Sequence, residues 1–229
     1  MLELLNNISH QDLRVVMQRG ARWGDDVMSC PITADEFRRV QAHYPILFQP
    51  DGSGGYLPVA LFGLIEGQNL FLTADGWNAD YIPLAMRRMP FSIGIADDEL
   101  RMMVDMASPR ISREGEPVFL PHGGHTDLVN DANAVLRTLH EGLQATPDFV
   151  QALVVHGLLE SCVIQVRQPD GSQGQLQGYF VINEERLAAL DTATIGLLHE
   201  ADYLQPLYMA IASLSNLAPL IRGHLARAA

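Results

Sequence analysis

Apolar positions along this chain follow two different periods. From Thr126 onward, Leu128, Ala132, Val135, Leu136, Leu139 and Leu143 recur at steps of three and four, which puts them on one face of an α-helix. Earlier, the stretches ILFQ and YLPVALFGLI flank the turn PDGSGG and predict a β-hairpin with a Gly-rich tip. A later pair of runs in CVIQVRQPDGSQGQLQGYFVI predicts a second hairpin, with its turn at Pro169-Asp170-Gly171.

Helix signals lie between these runs. In CPITADEFRRVQAHYPILFQ, Thr33 and Glu36 have the spacing of a capping box, and the helix should end near His43, where Tyr44-Pro45 favours extended backbone. Thr146-Pro147-Asp148 predicts a fresh helix start, a cap followed by proline in the first turn. PLAMRRMP has room for one helical turn before Pro90. NLFLTADGWNADYIP reads as strand, turn and aromatic loop, and residues 91–121 as two to four short strands. Residues 184–229 return to helical spacing, with Pro206 and Pro219 at starts or kinks.

The order of elements predicts an α+β fold. A mixed or antiparallel sheet comes from the N-terminal half plus a late hairpin, packed with C-terminal helices. One domain over residues 1–229 is expected, strand-rich over 1–121 and helix-rich over 122–229, with the hairpin at 162–182.

Composition narrows the function classes. A net charge of −12 over 229 residues opposes nucleic-acid binding, which needs clustered Lys and Arg. The N-terminus lacks the basic-then-apolar pattern of a secretory signal, and no run reaches the roughly 18 apolar residues of a membrane span. Cys30 and Cys162 lie far apart with no CxxC spacing. Reduced thiols and a cytoplasmic location are the expectation.

Two His-x-Asp triplets raise the question of iron, because non-haem iron enzymes hold two of three ligands with that spacing. His125-Thr126-Asp127 follows Gly123-Gly124 and opens the helical pattern, so Thr126 reads as an N-cap and Asp127 as a first-turn acid. His10-Gln11-Asp12 opens SHQDLRVV, which resembles a lone strand, and a bond from His10 to neighbouring backbone is the simpler role. Neither His10 nor His125 is expected to be a metal ligand, and no cofactor is expected. An iron(II) oxygenase built on a His-x-Asp stays as the alternative function.

Other motifs fail on context. No GxSxG is present, GSGG lies between two strands, and the twelfth position from Asp51 is Phe62 rather than Glu, against a calcium loop. Asp97-Asp98-Glu99 reads as a solvated turn. The segment NLFLTADGWNADYIPLAMRRMPF is the best candidate site. It places Trp77 and Tyr81 in a loop beside Arg87 and Arg88, a mixture suited to stacking and anion recognition.

Several of these stretches share one further likeness. PITADEFRRVQAHYPILF, PVALFGLIEGQNLFLTADGWNADYIPLAMRRMPF, GEPVFL and LQGYFVINEERLAAL resemble the bacterial SapC family, from about His10 to the C-terminal helices. This is the surface-layer-associated family, not the transporter permease of the same name. The resemblance draws attention to His10, Glu36, Tyr44, Asn69, Trp77, Tyr81, Arg87, Arg88 and Glu116, and brings no reaction with it. It implies an accessory or binding protein, more an adaptor than an enzyme. Its partner would belong to a surface-layer, outer-membrane receptor or flavin-dependent halogenase-like system.

Overall fold

A computed structural model describes residues 1–96, 99–167 and 173–228. The strands are β1 (Leu2–Leu4), β2 (Arg14–Val15), β3 (Ser29–Pro31), β4 (Ile46–Pro50), β5 (Tyr56–Leu61), β6 (Leu72–Thr73), β7 (Gly76–Trp77), β8 (Phe91–Ala96), β9 (Glu99–Asp105), β10 (Glu116–Pro117), β11 (Leu159–Arg167) and β12 (Gln173–Ile182). The helices are α1 (Phe37–Val40), α2 (Leu84–Arg87), α3 (Asp127–Val155), α4 (Glu184–Ala188), α5 (Thr192–Glu200), α6 (Leu204–Ser213) and α7 (Leu217–Ala228). Every named strand pairing is antiparallel, and the fold is α+β.

The chain forms two compact units and passes between them several times. The first comprises Met1–Asp26, Leu72–Asn78 and Leu84–Glu141; the second comprises Val27–Phe71, Ala79–Pro83 and Gly142–Ala229.

In the first unit, β8 and β9 form a hairpin and β1 adds to the β9 edge. The β2 strand pairs with β10, and β6 with β7. Val15, Phe91, Val104 and Val118 lie fully or almost fully buried against Val129, Ala132 and Leu136 from the first half of α3. Leu84 of α2 is buried with Val135 and Leu139. The apolar stripe read from the sequence is thus, from Leu128 to Leu139, the face on which this unit's core forms, whereas Leu143, its last expected member, is exposed. Of the Asp97-Asp98-Glu99 turn, Asp97 and Asp98 lie outside the described residues.

The second unit is organised by a five-stranded sheet in the order β11-β12-β4-β5-β3. The late hairpin therefore returns beside β4, where Phe180 sits opposite Phe48. Its turn at Pro169-Asp170-Gly171 lies outside the described residues. Leu47, Val59 and Leu61 from the centre of the sheet pack with Ile164, Tyr179 and Leu220. The Thr33–Glu36 signal marks a helical start, with a 3-10 turn over Ala34–Glu36 running into α1.

One predicted break is not there. Thr146-Pro147 does not begin a new helix; α3 runs unbroken for 29 residues with Pro147 inside it. The Thr146 hydroxyl donates to the Gly142 carbonyl at 2.6 Å and accepts the Ala34 N–H at 3.0 Å, so it is not free to cap. Phe149, Val150 and Leu153 are also buried, and they continue the stripe begun at Leu128. That burial outweighs the single helical hydrogen bond that proline cannot donate.

At the C-terminus, Pro206 and Pro219 fall in the first turns of α6 and α7. Residues 204–227 form a helical run whose most apolar window has mean hydropathy 1.2, enough by length and composition alone to cross a membrane. The sequence reading anticipated no such run. Its inward face is anchored by polar contacts. Ser213 accepts the Ile46 N–H at 2.8 Å, and the Asn216 amide donates to the Gln41 carbonyl at 2.8 Å.

Candidate functional site

The first unit holds a buried ion cluster. Asp25 follows a 3-10 turn over Ala21–Trp23, and Gly24 closes that turn with φ of 83°, a left-handed conformation that glycine adopts without steric cost. The reversal points the Asp25 carboxylate back at its own loop, where one oxygen accepts the Gly20 N–H at 2.9 Å. The other oxygen receives two guanidinium groups, Arg110 at 2.6 Å and Arg19 at 3.3 Å.

Arg110 has no accessible side-chain surface, and Asp25 has 1%. The Arg110 guanidinium also donates to the carbonyls of Val16 at 3.0 Å and Gln18 at 2.9 Å, while its Nε has no hydrogen-bond partner. Arg19 reaches the Met86 carbonyl at 2.9 Å, at the C-terminal end of α2 where cations are favoured. Arg87, the next residue, is exposed.

One fully buried and one partly buried arginine thus share one carboxylate. Burial lowers the Arg19 guanidinium from its usual value, and repulsion from Arg110 and Arg87 pushes the same way, with Asp25 opposing. Arginine stays a cation regardless. The cluster therefore carries surplus positive charge inside a chain of net charge −12, and Arg19 and Arg87 bring it toward the surface.

Trp77 belongs to the same unit. It is half-buried on β7, opposite Leu72. The neighbouring Gly76 passes beside Arg19, since a Cβ built there would lie 3.9 Å from the Arg19 Cβ. Arg88 donates to the Phe91 carbonyl at 2.8 Å and ties the end of α2 to the start of β8.

Tyr81 belongs to the second unit. Its hydroxyl donates to Glu36 Oε1 at 2.9 Å, and its carbonyl accepts the Tyr44 hydroxyl at 2.5 Å. The Arg39 guanidinium lies 5.6 Å from the centre of the Tyr81 ring, a cation–π distance. Glu36 Oε2 accepts the Thr33 N–H at 3.0 Å and the Thr33 hydroxyl at 3.3 Å, so the buried carboxylate serves both the cap and the tyrosine. Asn69 accepts the Phe71 N–H on its side chain at 3.0 Å, and Glu116 is exposed on β10.

The histidine triplets take structural places. The His10 ring is buried, with Nδ1 accepting the Asn6 N–H at 3.3 Å and Nε2 at 3.3 Å from Glu3, the backbone partner anticipated for it. Only Arg14–Val15 of the anticipated lone strand is extended. His125 is exposed and bridged to Phe119, and Asp127 opens α3. Thr126 starts the helix through its carbonyl, but its hydroxyl donates to the carbonyls of Pro117 at 2.9 Å and Val118 at 3.0 Å. It tethers the helix start to β10 instead of capping it. Among the described residues no three His, Cys, Asp or Glu side chains are gathered as a ligand set.

A SapC family model matches residues 5–220. The chain belongs to that family. No curated protein and no solved structure matches this SapC chain. The residues that sequence reading missed are Arg19, Asp25 and Arg110. Asp25 and Arg110 lie 85 positions apart, and a charged residue in a polar loop gives no local sign that it will be buried.

Proposed function

We propose that this SapC-family chain is a cytoplasmic, non-catalytic accessory protein of a surface-layer, outer-membrane receptor or flavin-dependent halogenase-like system. It engages an anionic group of its protein partner through Trp77, Arg19 and Arg87 of the first unit, with Arg88 holding α2 to the start of β8. The observation that carries this reading is that two arginines, Arg110 fully buried and Arg19 partly buried, converge on one buried aspartate. Uncompensated charge of that kind is costly in a folded chain and is relieved when an anion docks. The most deeply buried carboxylates, Asp25 and Glu36, are already occupied by donors from their own chain. That occupancy favours binding over acid–base chemistry.

Affinity capture of tagged protein from its native host, read by mass spectrometry, tests the proposal. The wild-type chain is expected to retain a surface-layer or outer-membrane receptor component that elutes as salt rises. Arg87→Glu is expected to lose it while keeping the wild-type circular dichroism spectrum. An identical set of partners for both proteins, or a partner insensitive to salt, would overturn the assignment.

A further inference from the structure

A second site lies wholly in the second unit. A cleft of about 540 Å³ opens between the Ala34–Arg38 segment, the second half of α3 and the turn from α5 into α6, within the range of small-ligand sites. Its floor is aromatic. Phe149 meets Phe37 edge-on at 5.8 Å and Tyr203 at 5.5 Å.

Charged groups stand on both walls. Asp35 and Arg38 are three positions apart on one continuous helical segment and so share a face. Opposite them are Asp202 and Gln205. With its amide oxygen turned toward Arg38, Gln205 accepts from Nε and Nη2 at 3.1 Å each. This holds the guanidinium fork in place without neutralising it. Neither the Asp35 nor the Asp202 carboxylate has a partner among the described residues.

Asp202 also departs from the fold's local preference. It has φ of 60°, the one non-glycine positive value among the described residues. It stands where α5 ends, with Asp202 N–H donating to the His199 carbonyl and Tyr203 N–H to the Leu198 carbonyl. This is the Schellman arrangement, whose left-handed position favours glycine. Aspartate there adds strain that glycine would avoid, and it places a carboxylate on the lip of the cleft.

We propose that this cleft binds a small zwitterion, a free amino acid or a short peptide. The ligand's ammonium sits with Asp35 and Asp202, its carboxylate sits on the Nη1–Nη2 edge of Arg38 that Gln205 leaves open, and its side chain lies against Tyr203 and Phe149. Two acids and one base leave the lining net negative, so the free amino group is the stronger determinant. A bidentate guanidinium–carboxylate pair fixes the orientation.

Equilibrium dialysis against the twenty standard amino acids and a random dipeptide mixture, read by mass spectrometry, tests this. The wild-type protein is expected to enrich free-amine compounds, and to enrich the same mixture after N-acetylation at least tenfold less. Asp202→Gly separates the two roles of the position, since it is expected to raise the melting temperature while cutting enrichment about tenfold. Asp202→Asn and Arg38→Ala are expected to reduce enrichment with no loss of fold. No enrichment by the wild type, equal enrichment of the acetylated mixture, or full enrichment by folded Asp202→Asn would each overturn the assignment.

Discussion

The Tyr81 hydroxyl donates to Glu36 at 2.9 Å while the Tyr81 carbonyl accepts the hydroxyl of Tyr44. One residue of a loop thus satisfies a buried acid and is itself held by a buried tyrosine. Tyr81→Phe removes only the donor to Glu36. It is expected to cost about 1–3 kcal/mol, the penalty for taking a donor from a buried acceptor. A urea titration with an unchanged midpoint would argue against that role.

Asp25 and Arg110 make unequal losses. Asp25→Asn leaves the buried Arg110 and the partly buried Arg19 guanidinium without their carboxylate and is expected to cost about 3–5 kcal/mol. Arg110→Met leaves Asp25 with Arg19 and the Gly20 N–H, so its cost should be smaller. The order of the two denaturation midpoints is the measurement, and a reversed order would remove the case for surplus buried positive charge.

Gly142 is fixed by what it faces. A Cβ there would lie 2.6 Å from Thr33 Oγ1 and 2.7 Å from Thr33 Cβ. Gly142→Ala is therefore expected to destabilise by about 1–3 kcal/mol despite alanine's better helix propensity. Thr33→Ala alone should cost about 1 kcal/mol through the lost cap. The double variant should cost less than the sum of the two single variants, because two of the clashing atoms are gone.

Burial raises the Cys162 thiol above its ordinary value, and the nearby Glu160 charge adds to the shift. The neutral thiol is the favoured form, so the reactive thiolate appears only at higher pH than in a free cysteine. Iodoacetamide labelling of folded protein should therefore rise with pH later than labelling of a model peptide. Glu160→Gln should move that rise to lower pH, and a profile matching the peptide's would contradict the shift.

What could be read from the sequence was local. The Thr33–Glu36 spacing, the hairpin around Asp51 and the helical stripe from Leu128 each depend on neighbours within a few residues, and each is present. Pro147 misled because its local signal is strong while the reason for continuing the helix is tertiary, the burial of Phe149 and Leu153. The place of β12 beside β4, the Arg110–Asp25 contact and the cleft around Arg38 all join distant segments. No periodicity encodes such meetings. Trp77 and Arg87 draw attention in the sequence as an aromatic and a guanidinium group close together, and the structure puts them on β7 and at the end of α2, whereas Arg19 reads like any surface arginine.

The strand order of the five-stranded sheet sets a timetable for biosynthesis. β4 and β5 leave the ribosome early and can pair at once, but the far edge of β4 has no partner until β12 is made, more than a hundred residues later. Throughout that interval the nascent chain carries an open, apolar strand edge containing Ile46, Leu47 and Phe48, the kind of edge that recruits other chains. Slow translation or truncation before β12 should therefore favour chaperone engagement or aggregation, and a fragment ending after α3 is a poor candidate for expression on its own.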